Sequence, residues 1–172
     1  MDFGALQCTP ANPSCNDCPL RDECLSLAAG TVAERPVKAG RTRIRPRYLN
    51  YLHLECGGRI ALRRRPEGDI WQGLYDLPAI ESDRPLDFTE LAAAPPFRDM
   101  FGTLPYRLVR TIRMPKHQLS HQTLHAAYHR LALDAWPSAA EGWTLVPYEQ
   151  LEDYAIPRLL DRYFERIGNS DT

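Results

Sequence analysis

No apolar run in the 172-residue chain comes near the roughly 20 residues needed to cross a bilayer. Met1-Asp2-Phe3 offers neither the basic n-region nor the h-region of a secretory leader. Both absences point to a cytoplasmic protein with no membrane partner. There is no surplus of one charge sign either: 21 Lys and Arg stand against 22 Asp and Glu, for a net charge of −1, so a uniformly basic nucleic-acid binder is excluded. Nor is there an internal repeat. At 44% apolar and 25% charged residues, the composition is that of a folded chain. Its length suits one domain with a smaller appended element.

The near-zero sum hides opposing blocks. Residues 31–66 carry +8, residues 67–100 carry −6, residues 101–133 carry +5 with no acid, and residues 134–172 return to −5. Phosphate binding depends on local Arg and Lys density rather than on the total, so two basic blocks predict one polyanion-facing surface. Solvated arginines along strand edges are the plainer alternative.

Four of the five cysteines fall close together: Cys8, Cys15, Cys18 and Cys24, spaced C-x6-C-x2-C-x5-C. In a reducing compartment such a cluster predicts a metal site rather than disulfides. Thiolates alone leave tetrahedral zinc and a [4Fe–4S] cluster as candidates, and the single C-x2-C with wider arms suits the cuboidal cluster better. Pro19 is placed to open a helix over Leu20 to Ala28 that presents Cys24. Cys56 stands apart and reads as an ordinary buried residue.

The remainder reads as α+β. Residues 31–46, with Pro36, Gly40 and Pro46 among basic residues, form a basic linker. Alternation through 47–55, then Gly57-Gly58, then alternation through 59–64 predicts a β-hairpin. Asp87-x-x-Glu90 predicts a capped helix stopped at Pro95-Pro96, strands follow at 106–114 and 123–133, and a last helix begins near Pro157 and ends at Gly168. His117, His121, His125 and His129 recur every four residues, which on a helix would make a metal-binding stripe. Pro115 and the alternation after Thr123 favour loop then strand instead, with the histidines on a basic surface.

The cysteine spacing, with Met1 to Ala5 before it, resembles the iron–sulfur loop that ends the catalytic domain of the endonuclease III and MutY families of DNA glycosylases. The x6 arm carries no Lys or Arg, unlike the phosphate-contacting loop of those families. The segment from Gly68 to Pro78 (GDIWQGLYDLP) resembles the run before the catalytic box of Nudix domains. The closely spaced glutamates that hold Mg²⁺ there do not follow, so pyrophosphate hydrolysis is not expected. His117-Gln118-Leu119-Ser120-His121 is similar to the loop with which MutY-type proteins read 8-oxoguanine, with Leu119 where Phe is usual.

The order of these segments resembles the C-terminal portion of MutY-type adenine DNA glycosylases. That resemblance implies an iron–sulfur loop in residues 1–30, a linker in 31–46, and a Nudix-like domain with a mixed sheet flanked by helices in 47–168. It implies a nucleoid-associated bacterial protein that binds duplex DNA containing 8-oxoguanine opposite adenine. Leu119, Ser120 and His121 would read the lesion, Arg41, Arg43, Arg45, Arg47 and His117 would meet phosphates, and Cys8, Cys15, Cys18 and Cys24 would hold the cluster. The helix-hairpin-helix, Asp and Glu that excise adenine have no counterpart in these residues. The chain alone is therefore expected to be inactive, with its catalytic domain elsewhere in the full-length protein. The competing reading is a zinc-stabilised Nudix-like interaction module.

Overall fold

Two glycines at positive φ, Gly57 at 56° and Gly58 at 73°, turn β1 (Arg45–Cys56) into β2 (Arg59–Arg64), with Cys56 opposite Arg59 and Glu55 opposite Ile60. A two-residue turn of this hand matches the twist of the flanking strands, as the sequence predicts. The computed structural model describes residues 6–9, 11–35 and 44–168. Met1 to Ala5, Arg41 and Arg43, singled out above, lie outside the described residues. The chain divides into two units, 1–43 and 44–172.

In the larger unit β1 pairs in parallel with β7 (Gln122–Leu133) and antiparallel with β4 (Ala79–Ser82). β5 (Tyr106–Arg113) lies along the far side of β7, and β6 (His117–Gln118) pairs with the start of β7. β3 (Tyr75–Asp76) and β8 (Thr144–Pro147) flank β2. The sheet is mixed, as expected.

Helices cover both faces. On one, α4 (Arg158–Gly168) seats Leu159, Leu160, Tyr163 and Ile167 against Leu49, Tyr51, Leu124 and Tyr128. On the other, α2 (Phe88–Ala93) and α3 (Pro95–Phe101) seat Leu91, Phe97 and Phe101 against Leu52, Leu54 and Leu131. Under this double cover every residue from Leu49 to Leu54 is buried, including Asn50 and His53, so β1 is a central strand. The capping box forms: Asp87 accepts from the Glu90 N–H at 2.8 Å, and Glu90 accepts from the Asp87 N–H at 2.9 Å. Pro95, expected only as a stop, also starts α3, because proline at the first helical position loses no hydrogen bond.

In the smaller unit the predicted helix over 20–28 is broken. A 3₁₀ turn at Arg21–Glu23 precedes α1 (Leu25–Ala28), and between them Cys24 is extended (φ −80°, ψ 104°). The expected linker holds a 3₁₀ turn at Val32–Glu34, and its last residues, Arg45 and Pro46, already belong to β1.

His53, fully buried, sits at the centre of a polar chain in the core. Its Nε2 lies 2.6 Å from the Tyr148 hydroxyl and its Nδ1 lies 2.7 Å from that of Tyr163. Tyr148 donates its proton to Glu55, which Arg130 Nε meets at 2.9 Å. The tautomer follows: Nε2–H donates to Tyr148, and Nδ1 accepts from Tyr163. Burial, aided by the Arg130 charge, depresses His53 to about 3, and burial likewise brings His129 to about 4. Unfolded histidine titrates near ~6.5, so in this window the unfolded chain binds the extra protons. The contribution is complete above that pH and is lost as pH falls, by about 1.4 kcal/mol per pH unit for each histidine. Urea unfolding of wild type and His53→Leu at about pH 7 and pH 5 should show a slope shallower by one such increment in the variant. Equal slopes would refute the assignment.

Candidate lesion-reading hairpin and thiol cavity

β6 and the start of β7 form a tight hairpin whose tip is Ser120-His121. Gln118 lies opposite Thr123, and the Leu119 N–H donates to the Gln122 carbonyl at 2.8 Å. Thr123 Oγ1 donates to Gln118 Oε1 at 2.8 Å, and Gln118 Nε2 donates to the Leu119 carbonyl at 3.0 Å. The Arg45 N–H reaches the His121 carbonyl at 3.1 Å, which ties the tip to β1. Ser120 and His121 are exposed at the tip, while Leu119 is half-buried and packs inward against the core, so it anchors the hairpin.

The histidines do not share a stripe. His117 is on β6, His125 stacks on Tyr48 at 4.8 Å, and His129 is buried with Nδ1 3.0 Å from Thr111 Oγ1. The strand after Thr123 is present as expected, but His117 already lies in a strand and the expected basic surface does not hold for His129, which is buried under α2 and hydrogen-bonded rather than solvated.

Behind the hairpin lies an ion-pair network that sequence reasoning missed. Arg47 grips Glu81 with two bonds (2.8 and 2.6 Å), meets Asp69 at 2.8 Å, and donates to Gln122 Oε1 at 3.3 Å. Arg65 meets the other oxygen of Asp69 at 2.6 Å and Asp76 at 2.8 Å, and donates to the Ile70 carbonyl at 2.8 Å. Burial pushes Asp69 up, but the Arg47 bond, the Ile70 N–H and the Arg65 charge together hold it below the usual carboxylate range. For Asp76 burial prevails over Arg65 and lifts the carboxyl to about 6. Arg47, expected at a phosphate, is thus committed internally: four of its five N–H groups are taken by protein oxygens and its side chain is only 13% exposed. Arg45, two residues earlier, is exposed and makes no ion pair among the described residues. The overlooked signal was the adjacency of the +8 and −6 blocks, which here partly neutralise each other.

The segment that resembles the run before a Nudix catalytic box contains β3 and ends at Pro78, just before β4, and among the described residues no acidic helix face follows. Between them α2 and α3 carry one Glu and one Asp, and that Glu90 is held by its capping box and by Arg84 at 2.8 Å.

In the smaller unit Cys8, Cys15, Cys18 and Cys24 are unpaired and line one cavity of about 90 Å³. Among the described residues no three of His, Cys, Asp and Glu converge closely enough to hold one metal ion. The backbone turns three times to bring the thiols round. The Cys18 N–H bonds to the Cys15 carbonyl, the Arg21 N–H to that of Cys18, and the Cys24 N–H to that of Arg21, at 3.3, 3.0 and 3.2 Å.

Residues 50–166 match the model of the NUDIX domain family. An adenine DNA glycosylase of Buchnera aphidicola subsp. Schizaphis graminum is 29% identical over 82 residues, covering 48% of this chain and 24% of the relative. One from Buchnera aphidicola subsp. Baizongia pistaciae is 28% identical over 127 residues, covering 73% and 33%. The chain thus spans a third or less of the length of these curated relatives. Among solved structures, the C-terminal domain of mouse MUTYH, crystallised in complex with human PCNA, aligns with TM-score 0.53 at 20% identity over 73% of this chain and 89% of that one. A MutT protein from Methanosarcina mazei Go1 aligns with TM-score 0.55 at 17% identity over 75% and 97%. These two likenesses are of fold. Together with the mixed, doubly covered sheet, the family match settles the membership: the chain belongs to the NUDIX domain family, and its similarity within it is to the C-terminal portion of adenine DNA glycosylases.

Proposed function

We propose that this chain is the DNA-binding and lesion-reading portion of an adenine DNA glycosylase that acts on adenine opposite 8-oxoguanine in base excision repair, in the cytoplasm of a bacterium. The observation that carries the reading is Ser120, exposed at the tip of a hairpin braced from behind. Guanine presents an acceptor at N7 in the major groove; 8-oxoguanine presents N7–H and a new carbonyl oxygen, so the polarity of that edge is reversed. A hydroxyl and its own backbone N–H answer that pattern, Oγ accepting from N7–H and the N–H donating to an oxygen. In this reading His121 at the same tip and Arg45 beside it would meet the flanking phosphates, and Arg41 and Arg43, which precede Arg45 in the sequence, would add to that contact. Adenine would be flipped and hydrolysed by a catalytic domain outside these residues, so the chain alone should release none.

The spacing of Cys8, Cys15, Cys18 and Cys24, one C-x2-C between wider arms, favours a [4Fe–4S] cluster over zinc. Bound there by Cys8, Cys15, Cys18 and Cys24, the cluster would serve to hold the loop's fold. Iron with acid-labile sulfide in the purified chain is the expected assay result; stoichiometric zinc would favour the interaction module instead.

Duplex binding tests the reading of Ser120. Wild type should prefer 8-oxoguanine:adenine to guanine:adenine by roughly tenfold, the worth of about 1–3 kcal/mol of hydrogen bonding, and Ser120→Ala, which keeps the backbone N–H but loses the Oγ acceptor, should lose most of the preference. Equal wild-type affinity for both duplexes would overturn it.

A further inference from the structure

Trp71 is the one non-glycine residue at positive φ among the described residues, at 56°. A bulky side chain there is strained and persists only where its surroundings over-determine it. They do so here. The loop between β2 and β3 is closed by the Arg65 N–H on the Leu74 carbonyl at 2.8 Å and the Gly73 N–H on the Arg65 carbonyl at 3.2 Å, while the Leu74 N–H bonds to the Trp71 carbonyl at 3.0 Å. The Arg65 guanidinium lies over the indole, 5.6 Å from its centroid. The indole in turn meets the His117 ring of β6, with centroids 6.0 Å apart and planes at 57°. The same loop reaches the other strand of the hairpin by a second route, from Asp69 through Arg47 to Gln122. Ser120 lies between these two attachment points.

We propose that Trp71 is the positioning residue of the reading hairpin: held in a strained conformation under Arg65, its indole fixes His117 and thereby the direction of the Ser120 hydroxyl. The inference rests on the reading of Ser120 given above. A tryptophan that served packing alone would weaken binding to modified and unmodified duplexes equally.

Two substitutions separate these roles. Trp71→Gly suits the backbone, since glycine takes positive φ without steric cost, but removes the indole. Trp71→Phe keeps an aromatic ring against His117. In Trp71→Gly the preference for 8-oxoguanine over guanine should fall roughly fivefold or more, the loss expected of one mis-set hydrogen bond, with affinity for the guanine duplex unchanged. Trp71→Phe should retain most of the preference. Amide hydrogen exchange of the free protein supplies a readout that needs no DNA: Trp71→Gly should speed exchange at Leu119 and leave Leu52 and Leu54 protected. Unchanged Leu119 exchange together with an unchanged preference in Trp71→Gly would overturn the proposal. A wild type that fails to discriminate while Leu119 exchange rises would instead overturn the reading of Ser120 and leave the mechanical coupling standing.

Discussion

Asp69 shares its two carboxylate oxygens between Arg47 of β1 and Arg65 just after β2, and so ties those two strands to the loop between β2 and β3. Arg47 carries the restraint on to Glu81 in β4 and Gln122 at the start of β7; Arg65 carries it to Asp76 and to the face of Trp71. Charge-assisted bonds at these distances are directional, and the bidentate Arg47–Glu81 pair fixes a plane as well as a length. Removing one partner would leave an uncompensated charge in a partly buried site, a larger loss than the pair's net contribution to stability. The network reaches the hairpin through Gln122, next to the exposed two-residue turn.

The same network changes the meaning of the charge pattern. Seen along the chain, the arginines between 31 and 66 look like one cationic patch. Those described in the larger unit separate into two sets. Arg47 and Arg65 face inward to acids of the following block, while Arg45, Arg59, Arg63 and Arg64 remain exposed. Only the outward set adds to a field that a polyanion would feel.

Elements whose signals are local were legible in the sequence: the Gly57-Gly58 hairpin, the Asp87/Glu90 capping box, the strands beginning near 106 and 122, and the helix that ends at Gly168. Those that depend on partners far along the chain were not. β3 and β6 are two residues long and β4 and β8 four, too short to show a period. The burial of both faces of β1 follows from helices more than thirty residues away. The break at Cys24 interrupts a run whose composition favours one helix. At the candidate site, the Ser120 segment was visible through its likeness to a known loop. Its supports were not, because Arg47, Asp69, Glu81 and Gln122 meet only when four separate segments come together. Local density could not reveal that Arg47 is already spoken for.

As proposed, the hairpin senses the reversed polarity at N7 rather than the bulk added at C8. A duplex carrying 8-methylguanine opposite adenine separates the two, because the methyl group fills the same space while N7 remains an acceptor. Titrated side by side, the 8-methylguanine duplex should bind the wild-type chain like the guanine duplex and more weakly than the 8-oxoguanine duplex. Binding of 8-methylguanine as tight as that of 8-oxoguanine would contradict the account.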